Sequence, residues 1–81
     1  MAKKQIRERA PEPIMQAKGI RRGDRVRIIG TWPNRATGQV SHIVAAGGPK
    51  LLANVKFDRP HTVKGNQYTY NWYEEGQLEK L

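Results

Sequence analysis

The sequence predicts an all-β fold, a single small five-stranded barrel at residues 22–81 behind a flexible basic arm at residues 1–21. Three observations predict it. From Arg22 onward, Gly, Pro and Asn recur at short intervals, and apolar residues alternate with polar ones between them. No segment of ten or more residues shows a helical period. A chain of 81 residues has room for one domain, so we expect these strands to share one core.

The first predicted strand covers residues 25–29 and follows the turn pair Gly23-Asp24. Val26 and Ile28 share one face of this strand, because successive side chains point to opposite sides. Residues 30–37 then form a loop with Trp32 near its tip.

The second predicted strand runs from residue 38 or 39 to about residue 44. Val40 and Ile43 are three positions apart, which breaks strict alternation, so we expect a β-bulge that returns both to the core. The stretch 45–49 is rich in Gly and Ala and forms the connection to the next strand.

The third predicted strand, residues 51–58, alternates cleanly, and the polar stretch 59–65 follows as a loop. The fourth covers residues 67–72 and places Tyr68, Tyr70 and Trp72 on one face. One face of this strand must belong to the core, which favours a mainly structural role for two of these three rings.

A turn at residues 73–76, with one turn of 3₁₀ helix, leads to a closing fifth strand at residues 77–81. Closure would remove exposed sheet edges in so small a domain. The predicted core comprises one face of the fourth strand together with seven residues of the other strands: Val26, Ile28, Val40, Ile43, Val55, Phe57 and Leu78.

The chain is strongly basic, with 15 Lys and Arg against 7 Asp and Glu and a formal charge of +8. Residues 1–22 hold seven basic and two acidic residues, so most of the excess charge lies in the first quarter of the chain. This arm shows no sustained helical or strand period. A short helix at residues 3–10 is compatible with the sequence, but it would be marginal in isolation. The arm either lies along an acidic partner or is a solvated tail. At the other end of the chain, the C-terminal residues are acidic because they include Glu74, Glu75 and Glu79.

The chain has no cysteine, which excludes disulfides, thiolate metal sites and cysteine nucleophiles. No apolar run reaches the roughly 18 residues that a membrane span needs, and the N-terminus lacks the apolar block of a signal peptide. We therefore expect a cytoplasmic protein without membrane insertion.

The stretch 22–30 and the following Gly38, Val40 and Ile43 resemble the KOW motif. This motif occurs in SH3-like barrels of ribosomal proteins and transcription elongation factors, so the resemblance implies an SH3-like fold and RNA binding. We expect Gly at position 38 because the chain must turn sharply into the second strand. The loop at residues 31–37 departs from the Gly- and Lys-rich loop of that motif.

A second resemblance, to the PsaE-type subunit of photosystem I, covers more of the chain. It includes residues 22–28, Trp32, residues 38–40, residues 55–57, the Asn71-Trp72 pair and the Gln77-Leu78 region. That subunit is also an SH3-like barrel, and the resemblance implies docking on an electron-transfer partner. The chain is also similar, more weakly, to the small plasmid-borne dihydrofolate reductase. Within the stretch that is functional in that enzyme, only one Tyr agrees with this sequence. A catalytic role of this kind would require a symmetric oligomer.

The residues offer no site for catalysis, a metal or a cofactor. His42 and His61 lie in different elements without partners at metal-ligand spacing, and Glu74-Glu75 has no paired nucleophile. Gly47-Gly48-Pro49-Lys50 lacks the ending of a phosphate-binding loop, and no helix follows it. We therefore predict that the protein is not an enzyme and has no small-molecule substrate.

Basic residues interleaved with aromatic ones are suited to single-stranded nucleic acid, since bases stack and phosphates pair with cations. The sequence predicts a binding module that docks on RNA or DNA, or on a ribonucleoprotein or transcription complex. The alternative is a subunit that captures an acidic protein in a larger assembly, an electron-transport complex or a phage or host complex. Both hypotheses use Trp32 as the stacking contact and six cations: Arg25, Arg27, Arg35, Lys56, Arg59 and Lys64.

Overall fold

A computed structural model describes residues 13–81 of the chain. It contains five β-strands: β1 at Arg25–Ile28, β2 at Thr37–Ala45, β3 at Leu51–Val63, β4 at Asn66–Tyr73 and β5 at Leu78–Lys80. A 3₁₀ helix at Glu75–Gln77 joins β4 to β5. The predicted all-β class is confirmed, while the marginal helix at residues 3–10 lies outside the described residues.

The five strands form one antiparallel sheet in the order β4-β3-β2-β1-β5. Each strand up to β4 pairs with the next along the chain, and β5 returns to pair with β1 on its free side. The sheet register shifts between Val40 and His42, which confirms the bulge predicted from the spacing of Val40 and Ile43.

β3 is longer than the sequence predicts. Residues 59–63, expected as a loop, continue the strand, and the ladder with β4 slips between Lys56 and His61. Pro60 lies inside this irregularity, which fits its missing backbone N–H. The turn into β4 is tight because Lys64 and Gly65 adopt φ values of 50° and 81°.

The core lies on one side of the sheet. All seven predicted strand residues are buried there, joined by Ala53, Tyr73 and two residues from before the first strand. The predicted core face of β4 is wrong at Tyr68, Tyr70 and Trp72, which are exposed, because Tyr73 on the opposite parity fills that space.

The boundary of the arm also differs from the sequence-based expectation. Met15 and Ile20 form a β-bridge and are both buried, closing a tight turn at residues 16–19 over the core. Their backbones exchange two hydrogen bonds of 3.0 and 3.3 Å. The folded unit therefore includes residues before position 22, and apolar burial is the reason.

Gly38 is required for a reason other than the expected sharp turn. It lies within β2, opposite Val26 and Phe57. A Cβ atom at this position would meet the Lys56 carbonyl oxygen, and it would lie 2.8 Å from Val55 Cγ1. Close approach of the neighbouring strand, rather than backbone conformation, excludes a larger side chain.

Candidate functional site

The loop between β1 and β2 is tied to the end of the sheet. Arg35 donates its backbone N–H to Ile28 O at 2.7 Å, and Gly30 donates to the Asn34 side chain at 3.1 Å. The Trp32-Pro33 peptide bond is cis, and Arg35 has a positive φ of 70°. The two hydrogen bonds attach the loop to the end of β1.

Trp32 packs in a cluster of rings that we call the Trp32 cluster: Trp32, Phe57, His61 and Tyr68. The ring centre of Trp32 lies 5.5 Å from Tyr68, 6.0 Å from His61 and 6.3 Å from Phe57, all in edge-on geometry. The Tyr73 hydroxyl also donates to Trp32 O at 2.9 Å. Trp32 is 42% exposed, so it both packs against neighbouring rings and contributes to the surface.

A cleft of about 370 Å³ opens beside the Trp32 cluster. Two cations, Arg35 and Arg59, line it together with His61 and Asp58. Neither arginine forms an ion pair with a carboxylate among residues 13–81. The cleft therefore brings together two of the cations that the sequence predicts as contacts, Arg59 from β3 and Arg35 from the loop between β1 and β2.

Arg25 and Arg27 have a different environment from the one predicted for them. The two terminal guanidinium nitrogens of Arg25 donate to Asp58, at 2.7 and 2.6 Å, and Arg27 donates to Glu79 at 3.1 Å. The Thr37 hydroxyl donates to Asp58 at 2.6 Å as well. β1 therefore presents neutralised pairs rather than unpaired cations.

The Arg25 and Thr37 hydrogen bonds stabilise the ionised carboxylate and lower the pKa of Asp58 to about 2. The same bidentate contact raises the pKa of Arg25. Burial raises the pKa of the Tyr73 hydroxyl, since the ionised form would be poorly solvated in the core.

The remaining predicted cations, Lys56 and Lys64, are exposed and have no carboxylate partner within residues 13–81. Lys64 lies at the turn between β3 and β4, while Lys56 lies on the outward side of β3. Lys56 is directly opposite Tyr70 in the register.

Two surface rings were not among the predicted contact residues. Tyr70 is 55% exposed and Trp72 is 39% exposed, and both project from β4 away from the core. His42 of β2 meets Trp72 edge-on, with ring centres 6.1 Å apart. Alternation in the sequence correctly predicted that these rings share one side of β4, but it did not indicate which side of the strand faces solvent.

A second cleft carries both glutamates of the C-terminal turn and one cation, Lys50, which is paired with Glu74. This cleft, of about 640 Å³, is lined by Ile14, Leu51 and the two glutamates Glu74 and Glu75, with neighbouring loop residues. Within the described part of the chain, no group of three or more His, Asp or Glu residues could hold a metal ion. The same residues contain no helix long and apolar enough to cross a membrane.

The chain matches no protein-family model, no curated protein and no solved structure in comparisons with each.

Proposed function

We propose that this protein is a non-enzymatic docking module for nucleic acid, acting alone or on a ribonucleoprotein or transcription complex. The observation that carries the proposal is the separation of paired from unpaired cations. Four of the six predicted contact cations have no carboxylate partner among residues 13–81: Arg35, Lys56, Arg59 and Lys64.

These four residues belong to β3, its turn into β4, and the adjoining loop. Arg35 and Arg59 share one cleft, and the Trp32 cluster lies beside it. Cations that already hold a carboxylate gain little from a phosphate, whereas unpaired ones release counterions when a phosphate arrives. The arrangement supports phosphate contact along β3 and its loops rather than along β1.

The proposal includes the finer fold, an SH3-like barrel. Among residues 13–81, one sheet without a helical layer buries eleven hydrophobic residues in a single cluster. A sheet encloses such a core by curling on itself, as small barrels do. The return of β5 to β1 supports the same arrangement.

A salt titration tests the function. We expect the chain to bind a fluorescein-labelled 20-nucleotide RNA or DNA strand. The logarithm of the association constant should fall with the logarithm of the salt concentration at a slope of about −3, because each of four phosphate contacts on a single strand contributes about 0.7. Arg59→Gln should reduce the slope by about 0.7. Arg27→Gln, whose guanidinium is paired with Glu79, is the matched control and should change it by less than half as much.

Absence of binding, or an affinity that does not change with salt, would overturn the proposal. An acidic protein such as ferredoxin serves as the competitor in the same titration. Binding of that protein, without binding of either nucleic acid, would instead support the alternative of a protein-docking subunit, which the PsaE-type resemblance implies.

A further inference from the structure

The outward side of β3 and β4 carries a second set of rings, distinct from the Trp32 cluster. We call it the outer aromatic face and define it as Lys56, Tyr70 and Trp72. Lys56 lies directly opposite Tyr70 in the ladder. Trp72 lies two residues further along β4, so it shares this side of the sheet and is the diagonal neighbour of Lys56.

The two rings of this face are open to a flat ligand. Tyr70 has no ring contact among residues 13–81, and Trp72 has a single one, the edge-on contact with His42 at 90°. One T-shaped contact covers at most one face of an indole, and Trp72 is 39% exposed. Trp32, by contrast, already packs against three rings.

The spacing of the rings matches an extended strand of nucleotides. Residues two apart on one β-strand are about 6.6 Å apart, which is comparable to the distance between successive phosphates in an extended single strand. Bases that stack on two such rings must be unpaired and splayed apart, as they are on the aromatic sheet surfaces of known RNA-binding modules. Lys56 is opposite Tyr70 and diagonal to Trp72, so its long side chain can reach a phosphate that links two bases stacked on these rings.

We propose that the outer aromatic face binds two consecutive unpaired nucleotides, with one base stacked on Trp72, the next on Tyr70, and the phosphate between them on Lys56. The inference rests on the proposed nucleic-acid function and narrows it to single strands. It also moves the stacking role from Trp32, where the sequence placed it, to β4.

The test compares the full chain with variants on a labelled 10-nucleotide oligo(U) strand and on a duplex of the same length. We expect the wild type to bind the single strand at least fivefold more tightly than the duplex. Trp72→Leu and Tyr70→Leu should each weaken single-strand binding about tenfold and change duplex binding by less than twofold, since a stacked base depends on the ring.

Trp72→Phe and Tyr70→Phe keep an aromatic face and should retain most of the single-strand affinity, which separates stacking from loss of apolar area. Leu81→Ala is the matched control, because Leu81 is an exposed apolar residue beyond β5, at the opposite edge of the sheet. Far-ultraviolet circular dichroism confirms that each variant is folded.

Equal affinity for strand and duplex, together with unchanged binding of the two Leu variants, would overturn the stacking inference while leaving phosphate docking intact. Absence of binding to both probes would overturn the proposed function itself. Equal losses in the Phe and Leu variants would also contradict stacking.

Discussion

At the scale of single residues, Asp58 accepts hydrogen bonds from the two terminal guanidinium nitrogens of Arg25 and from the Thr37 hydroxyl. The three residues come from three neighbouring strands, so this carboxylate connects β1, β2 and β3 on the outward side of the sheet. It also uses Arg25 as a structural partner, which removes that cation from the proposed phosphate contacts.

The low pKa of Asp58 predicts a pH-dependent contribution to stability. Because the pKa is about 2 in the folded state and 3.8 is its ordinary value, unfolding takes up a proton between these pH values. The contribution is therefore complete above about pH 4 and is lost as the pH falls towards 2. Urea unfolding at pH 5, 4, 3 and 2.5 should show that Asp58→Asn is less stable than the wild type at pH 5 and that the difference shrinks on acidification.

Thr37→Val is the graded control for this experiment, since it removes one donor and leaves the Arg25 pair. It should keep part of the pH dependence. A difference between wild type and Asp58→Asn that stays constant from pH 5 to pH 2.5 would contradict the role assigned to this carboxylate.

At the scale of elements, the segment before β1 forms part of the fold. The tight turn closed by Met15 and Ile20 is held by Lys18, whose backbone N–H donates to Glu75 at 2.8 Å and whose ammonium donates to Leu78 O at 2.8 Å. These contacts attach the turn to the 3₁₀ helix and β5. The turn covers the end of the core where β5 begins.

Met15→Ala should lower the free energy of unfolding by about 2–5 kcal/mol, because Met15 is 1% exposed and its removal leaves a cavity in the core. Urea unfolding measures the change, and a variant that no longer folds meets the same expectation. Ile14→Ala is the matched control, since its neighbouring side chain is exposed, and should change stability by less than about 0.5 kcal/mol. Equal effects of the two substitutions would contradict the packing of this turn.

At the scale of the whole molecule, charge and packing are divided between regions of the sheet. All five carboxylates of residues 13–81 accept hydrogen bonds, and each of four pairs with a basic side chain: Asp24 with Lys80, Asp58 with Arg25, Glu74 with Lys50 and Glu79 with Arg27. Such exposed pairs contribute little to stability, about 0–1 kcal/mol each. Their main consequence is that, of the six predicted contact cations, the four without a carboxylate partner among residues 13–81 lie on β3, at its turn into β4 and in the loop between β1 and β2.

The connection of the Trp32 cluster to the core predicts a single cooperative transition. In Trp72→Phe, Trp32 is the only tryptophan. Its fluorescence should follow the same urea unfolding curve as far-ultraviolet circular dichroism. The reason is that Trp32 packs on Phe57 and its carbonyl oxygen accepts a hydrogen bond from the Tyr73 hydroxyl. An m-value of about 1 kcal/mol/M is expected for so small a domain. An earlier transition in the fluorescence would show that the loop unfolds separately from the sheet.

Local patterns in the sequence determined most of the fold. Alternation and turn residues predicted five strands, and the three-residue spacing of Val40 and Ile43 predicted the bulge. The seven strand positions predicted for the core are all buried. These features depend on residues close together in the chain, which is why periodicity reveals them.

Tertiary structure alone decided which side of β4 is buried, that Met15 and Ile20 join the core, and which cations remain unpaired. Arg25 and Arg27 meet carboxylates 33 and 52 residues away, so their pairing depends on strand order rather than on neighbouring residues. Composition determined that the chain is basic, whereas long-range packing decided where that charge is available. The physical reason is that strand propensity is local, while burial and ion pairing are settled when distant strands come together.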